Sequence, residues 1–205
     1  MLLREVSASA LRVGSTVVLV LAFGFMAYAC YRRYLDTGSV NMLGLVVINT
    51  ISMAMFMARR DATSVSSSPA LWLIAFAGTL APTLMRPTTP ALLTTMGNTL
   101  QLVGILCIVA ALLSLRRSLG IVPANRGIRT QGLYNVVRHP LYASELLAFG
   151  GFAIANPSVW NFCIWLADCG LQYTRACAEE RFLSSDPSYL QYRSRVKYRL
   201  IPLII

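Results

Sequence analysis

The chain has 205 residues, of which 56% are hydrophobic and only 13% are charged, and its mean hydropathy is +0.60. This composition excludes an ordinary water-soluble domain and is typical of a protein that lies within a bilayer. The formal net charge is +10, but the basic residues flank the apolar runs and do not indicate a nucleic-acid partner. Five cysteines, an odd number without any CxxC pair, predict neither a disulfide framework nor a metal site.

Four apolar runs in the first half of the chain are long enough to cross about 30 Å of hydrocarbon as helices. They contain no charged residue and lie at about 13–31, 40–58, 69–85 and 91–115. The first run is expected to stay in the membrane rather than to be a signal peptide, because no small-residue cleavage pattern is evident.

The second half of the chain begins with a segment that is too rich in breakers to be one helix. Residues 116–140 contain three glycines and two prolines, which predict a structured loop. Two further apolar runs, at about 141–155 and 158–178, flank Asn156-Pro157 and predict a helical hairpin. Its first arm reaches only about 22 Å, so whether the hairpin fully crosses the bilayer is left open.

These runs predict an all-α, polytopic membrane helix bundle with about five to six transmembrane helices and a C-terminal helical hairpin. We expect residues 1–115 to form four transmembrane helices and residues 116–205 to form a second region of loop, helical hairpin and cytoplasmic tail. With six passes and the N-terminus inside, 15 basic residues face the cytoplasm and three face outside. This asymmetry predicts cytoplasmic termini and brings the 116–140 loop and the 175–202 tail to one face.

Arg138, His139 and Pro140 form the first candidate site. Proline is favoured at the first position of a helix, which makes His139 the cap of a helix whose free backbone N–H groups attract anions. Arg138 adds a planar donor fork, and Tyr142 follows one turn later on nearly the same side. The arrangement favours carboxylate binding, although a solvated interfacial histidine is an open alternative.

A second candidate cluster lies at the end of the hairpin. Arg175 and Glu179 are four residues apart and adjacent on a helix, whereas Glu180 is rotated by about 100° and can point elsewhere. An ordinary surface ion pair is the simpler explanation. Glu145 and Asp168, acidic residues in apolar surroundings, are expected to face the bundle, with a structural role favoured over a ligand role.

The string GLYNVVRHPLY, the later Asn156-Pro157, the Arg175 and Glu179-Glu180 cluster and the tail VKYRLIP together resemble the isoprenylcysteine carboxyl methyltransferase family. Phospholipid N-methyltransferases share the same ordered elements. The resemblance covers about residues 115–202. It implies a multi-helix membrane enzyme that binds S-adenosylmethionine in a cytoplasm-facing pocket and methylates a lipophilic acceptor, such as a carboxylate of the isoprenylcysteine type.

Carried over residue by residue, the resemblance implies roles for seven positions and makes residues 116–205 the cofactor-binding catalytic region. Together with the anion-binding argument, the cofactor-binding candidates are Tyr134, Arg138, His139, Tyr142, Glu179 and Glu180. The catalytic candidates are Arg175, thought to face the acceptor, Asn156, which follows the first hairpin arm, and Glu179, a candidate base. With a carboxylate acceptor Arg175 would hold it against the methyl group; with an amine or thiol, Glu179 or Glu180 would accept a proton.

Two other classes of protein are alternatives. A sterol-reductase-like enzyme using NADPH would share a similar C-terminal half, and a transporter or scaffold would account for the intramembrane acids. The Pro140 motif together with Glu179-Glu180 favours methyl transfer. We therefore expect a multi-pass protein of the bacterial plasma membrane whose partners are membrane lipids and a lipophilic or lipid-linked acceptor, with no nucleic acid.

Overall fold

The apolar runs of the sequence form helices. A computed structural model describes residues 2–89 and 92–202, with side chains from residue 13 onward. Two compact units, Met1–Arg59 and Arg60–Ile205, make up the chain. We expected a functional boundary between residues 115 and 116. The division into compact units does not test this boundary, which stays a prediction.

The first unit is a hairpin of α1 (Leu2–Thr37) and α2 (Val40–Ala58). The helix predicted to end near residue 31 continues to Thr37, because the two arginines that follow the apolar run do not stop a helix. The chain turns at Gly38, whose φ of 64° is readily adopted only by glycine. At the other end of the hairpin, Arg59 donates hydrogen bonds to Ser15 Oγ (3.0 Å) and Thr16 Oγ1 (2.9 Å).

The second unit holds the remaining elements. Its helices are α3 (Pro69–Leu80), α4 (Thr94–Leu115), α5 (Pro140–Ala155), α6 (Val159–Leu183) and α7 (Pro187–Arg195). Two short strands, β1 (Ser64–Val65) and β2 (Ala124–Asn125), pair antiparallel with Ser64 opposite Asn125. The third helix is shorter than predicted, because Pro82 has no N–H to continue it and residues 81–84 form a 3₁₀ turn. The predicted start of the fourth, residue 91, lies outside the described residues.

Among the described residues, three helical segments are long and apolar enough to cross a membrane: Val13–Thr37, Val40–Ala58 and Thr94–Ser118. Residues 69–84 and α5 are apolar but shorter. Within the described ranges, the only strands are the two-residue β1 and β2. The predicted all-α, membrane-spanning fold class is confirmed. The number of crossings in the second unit stays a prediction.

The α6 helix is polar on its buried face and apolar on its exposed face. Its buried side carries Asn161, Asp168, Gln172, Arg175 and Glu180. Its exposed hydrophobic side chains include Phe162 and Leu166. In a bilayer this arrangement places the apolar face toward lipid and the polar face against neighbouring helices. Hence α6 carries functional groups to the interior of the second unit.

Candidate functional site

The start of α5 is fixed by its cap and by the C-terminal tail. His139 is the N-cap residue, with φ −126°, and Pro140 occupies the first helical position, as the sequence predicts. Backbone hydrogen bonds of 2.9 Å run from Arg138 N–H to the Tyr198 carbonyl and from His139 N–H to the Arg199 carbonyl. The tail therefore lies directly beside the helix start, the juxtaposition that the topology argument expected.

Glu180 is the centre of a buried ion-pair network. It is 3% exposed, and its Oε1 accepts a hydrogen bond from Arg138 Nε at 2.8 Å. Arg199 donates to both carboxylate oxygens, from Nε at 3.1 Å and from Nη2 at 3.0 Å. Burial alone would raise the pKa of Glu180, but contacts with His139, Arg199 and Arg138 hold it well below its usual value. Glu180 is thus an ionised carboxylate whose oxygens are already engaged.

The guanidinium of Arg138 is also hydrogen-bonded to other residues of the chain. Besides Glu180, it donates from Nη1 to the carbonyl oxygens of Val196 (3.0 Å) and Lys197 (2.6 Å). Arg138 and Glu180 together tie the tail to α5 and α6. Their roles as direct cofactor contacts stay predictions, and their observed contacts are those of residues that hold the site together.

Four of the predicted residues meet around the aromatic ring of Tyr142. The rings of His139 and Tyr142 are stacked, with centroids 5.5 Å apart and an interplanar angle of 8°. The Tyr142 hydroxyl donates to Glu179 Oε2 at 3.1 Å, and Arg175 Cζ lies 4.7 Å from the centre of the Tyr142 ring. The sequence predicted an Arg175–Glu179 contact, whereas the structure places Tyr142 in contact with both residues.

A small cavity of about 60 Å³ adjoins this group. Its lining includes Tyr134, Arg138, His139, Glu179 and Tyr189, together with residues of the loop from Ser118 to Arg129. The Tyr189 hydroxyl is buried and has no hydrogen-bond partner among the described residues, whereas His139 Nε2 lies 3.3 Å from Glu180 Oε1. One polar atom on a cavity-lining residue, the Tyr189 hydroxyl, is therefore open to a ligand.

Asn156 lies at the other end of α5, about 24 Å from His139 along the helix axis. Its Oδ1 accepts from Thr88 N–H at 3.0 Å, and its carbonyl accepts from Asn161 Nδ2 at 2.7 Å. These bonds close the turn between α5 and α6. The structure does not bring Asn156 to the other candidates, so its catalytic role stays a prediction without a supporting contact.

Sequence reasoning assigned no role to Gln172 and treated Arg199 only as part of a basic tail. Gln172 lies four residues after Asp168 and three before Arg175, so its helical spacing already placed it beside both. For Arg199 no local signal existed, because its partner Glu180 is 19 residues away. Pairings of this kind become visible only when the tail folds back.

A helical membrane protein whose loop, hairpin and tail line a small cavity with several polar side chains is the class that these features define. Residues 92–186 match the family model of phospholipid methyltransferases, a family that includes the isoprenylcysteine carboxyl methyltransferases. The resemblance read from the sequence is confirmed over this region, which contains α4, α5 and α6. A search among curated proteins found no match to the chain.

Proposed function

We propose that the protein is an integral membrane methyltransferase that uses S-adenosylmethionine and methylates a lipophilic acceptor. The observation that carries this proposal is the convergence of His139, Tyr142 and Glu179 beside the cavity, within the region that matches a methyltransferase family. The buried Tyr189 hydroxyl, which has no hydrogen-bond partner among the described residues, supports a ligand there. Burial raises the pKa of Tyr189, so its hydroxyl stays protonated and able to donate.

The residues present fit the polar ends of such a cofactor. When bound, S-adenosylmethionine supplies a methyl group on a sulfonium, together with its own leaving group. The start of α5 and the His139 ring are suited to a carboxylate. Glu179, whose side chain is 33% exposed, is the acidic group available to accept from amino or hydroxyl groups. Tyr142 orients Glu179 through its hydroxyl, and Arg138 with Glu180 holds the tail against the site.

Binding requires the cavity to widen. Its volume of about 60 Å³ is well below the several hundred Å³ that small-molecule sites usually occupy. The loop from Ser118 to Arg129 forms one wall, and within it Gly127 has a φ of 89°. We infer that this loop moves outward to admit the cofactor and closes again to exclude water from the reaction.

The acceptor is the second component. Arg175, beside Tyr142, is placed to orient an acceptor carboxylate, whereas an amine or thiol acceptor would transfer its proton to Glu179. A lipophilic or lipid-linked acceptor would reach the site from the bilayer. We place the site on the cytoplasmic face of a bacterial plasma membrane; the distribution of basic residues supports the cytoplasmic side and contact with anionic lipid headgroups.

Calorimetric titration of the detergent-purified protein with S-adenosylhomocysteine tests the cofactor. We expect binding, and we expect His139→Ala to weaken it by about 1–3 kcal/mol, the range for a lost hydrogen bond to a charged group. Thr99→Ala is a suitable control, because Thr99 is exposed on α4 and its hydroxyl donates to the Thr95 carbonyl of its own helix. Binding of NADPH instead would favour the reductase alternative, and binding of neither would favour a transporter or scaffold.

A further inference from the structure

Gln172 connects three helices in the interior of the second unit. It is 1% exposed, and its Nε2 donates to the Gly78 carbonyl of α3 at 3.2 Å and to Glu145 Oε2 of α5 at 2.9 Å. The same nitrogen lies 3.3 Å from Asp168 Oδ1. Its Oε1 accepts from Arg175 Nη1 at 2.9 Å. The donor end of the amide thus faces the two acids and the acceptor end faces the arginine.

The guanidinium of Arg175 is bounded on several sides. Nη2 donates to the Ile121 carbonyl at 3.3 Å, and the ring of Tyr142 lies 4.7 Å from Cζ. On the α3 side, a Cβ at Gly78 would come within 3.0 Å of Arg175 Cδ. Nε is buried and has no hydrogen-bond partner among the described residues. Arg175 is therefore held in place with one donor unused.

The two nearby acids do not pair with Arg175. Glu145 and Asp168 share the interior with it, yet neither makes a salt bridge to it in the part of the chain that the structure describes. In a low-dielectric interior a free arginine would be drawn to such carboxylates. The amide of Gln172 lies between the acids and the guanidinium, with Nε2 toward the carboxylates and Oε1 toward the guanidinium.

We propose that Gln172 is a positioning residue for methyl transfer: it holds Arg175 beside Tyr142 and keeps it from pairing with Glu145 and Asp168. The proposal rests on the proposed function, in which Arg175 orients the acceptor. Gln172 itself touches neither cofactor nor acceptor. Because Gln172 acts through the position of Arg175, its loss should lower the turnover rate and leave cofactor binding largely unchanged.

Gln172→Met tests the kinetic consequence, because methionine has a similar length but cannot donate or accept as the amide does. We expect kcat to fall at least tenfold, while the affinity for S-adenosylhomocysteine changes by less than about threefold. If cofactor affinity falls as much as kcat, or if kcat is unchanged, the proposal is overturned.

Removing the competing charges should restore turnover. We expect Glu145→Gln combined with Asp168→Asn to recover much of the kcat that Gln172→Met loses, because Arg175 then has no carboxylate to pair with. A residue that merely filled space would give the opposite result, since each further change in the interior would reduce activity again. Failure of the rescue in a folded triple variant would contradict the shielding role.

Asn161→Leu is the matched control. Asn161 is also a fully buried amide on α6, but it bonds to the Arg86 backbone and the Asn156 carbonyl near the opposite end of the helix. We expect lower thermal stability and unchanged kcat per folded molecule. The same kinetic signature in this variant as in Gln172→Met would remove the special role of Gln172.

A double-mutant cycle without cofactor separates this proposal from the proposed function. Melting temperatures of Gln172→Met, Arg175→Met and the double variant should be non-additive, because the two side chains bond directly. Additive shifts would overturn the positioning role, whatever the protein methylates. Absence of any binding of S-adenosylhomocysteine or methyl transfer by the wild-type protein, with a non-additive cycle, would instead overturn the methyltransferase function.

Discussion

Glu180 shows how a residue of a sequence motif can serve the architecture around a site. Its carboxylate bonds to Arg138 at the start of α5 and to Arg199 in the tail, two segments that are far apart in sequence. Glu179, its neighbour, is the partly exposed member of the pair and contacts Tyr142. The paired acids therefore differ in role: Glu180 holds the ion-pair network together, and Glu179 faces the cavity.

The pH dependence of stability tests this assignment. Because the pKa of Glu180 is lowered on folding, its ionised form stabilises the protein at neutral pH, and this stabilisation is lost as the pH falls below about 4.5, the unperturbed value. We expect Glu180→Gln to lower the melting temperature at pH 7 and to differ progressively less from the wild type below pH 4.5. A difference that stays constant down to pH 3 in thermal scans would contradict an ionised Glu180 in the network.

At the scale of elements, α4 and α5 pack closely because small residues line their contact. A Cβ at Gly104 would collide with the backbone of Ala148, and one at Gly151 would collide with the backbone of Gln101. Membrane helices use small residues in this way, since packing between them has little hydrophobic driving force. The close contact keeps α5 in place, and with it the His139 cap.

Gly104→Ala should therefore destabilise the protein, because the added methyl group meets backbone atoms that cannot move aside as a flexible side chain would. Gly170→Ala is the matched control, as a Cβ at that position meets nothing within 4 Å. Thermal unfolding in detergent should show a marked loss for the first variant and little change, or a small gain, for the second. Equal behaviour of the two variants would indicate that α4 and α5 do not pack through Gly104.

At the scale of the whole molecule, the uneven distribution of basic residues predicts how the protein is oriented in the membrane. The 15-to-3 distribution predicts that the tail and the 116–140 loop lie in the cytoplasm and that residues 32–39 and 86–90 lie outside. The site formed by His139, Tyr142 and Glu179 would then face the cytoplasm. The orientation of the helices therefore sets the side of the membrane on which this site lies.

Single-cysteine labelling in a cysteine-free background checks the orientation. We expect a membrane-impermeant thiol reagent to label a cysteine at Thr89 in intact cells and to label one at Gln191 only after permeabilisation. Both positions are exposed, so access is limited by the membrane and not by burial. Labelling of Gln191→Cys from outside would reverse the topology.

The sequence alone determined the membrane helix class, the hairpin and the helix start at His139. These features depend on local patterns: apolar length, proline and glycine positions, and spacing along one helix. The grouping of Tyr142 with Glu179 and Arg175 was only partly predictable, since helical spacing relates residues of one helix but does not say which residue of another helix lies between them.

Only the tertiary structure decided that Glu180 pairs with Arg138 and Arg199, that Gln172 bonds to both Arg175 and Glu145, and that Asn156 lies far from His139. The apolar run at 158–178 predicted the position of α6, but it did not indicate which polar residues of that helix are buried. Which polar groups meet depends on how α5, α6 and the tail pack together, because buried donors and acceptors must find partners across elements that the sequence separates widely.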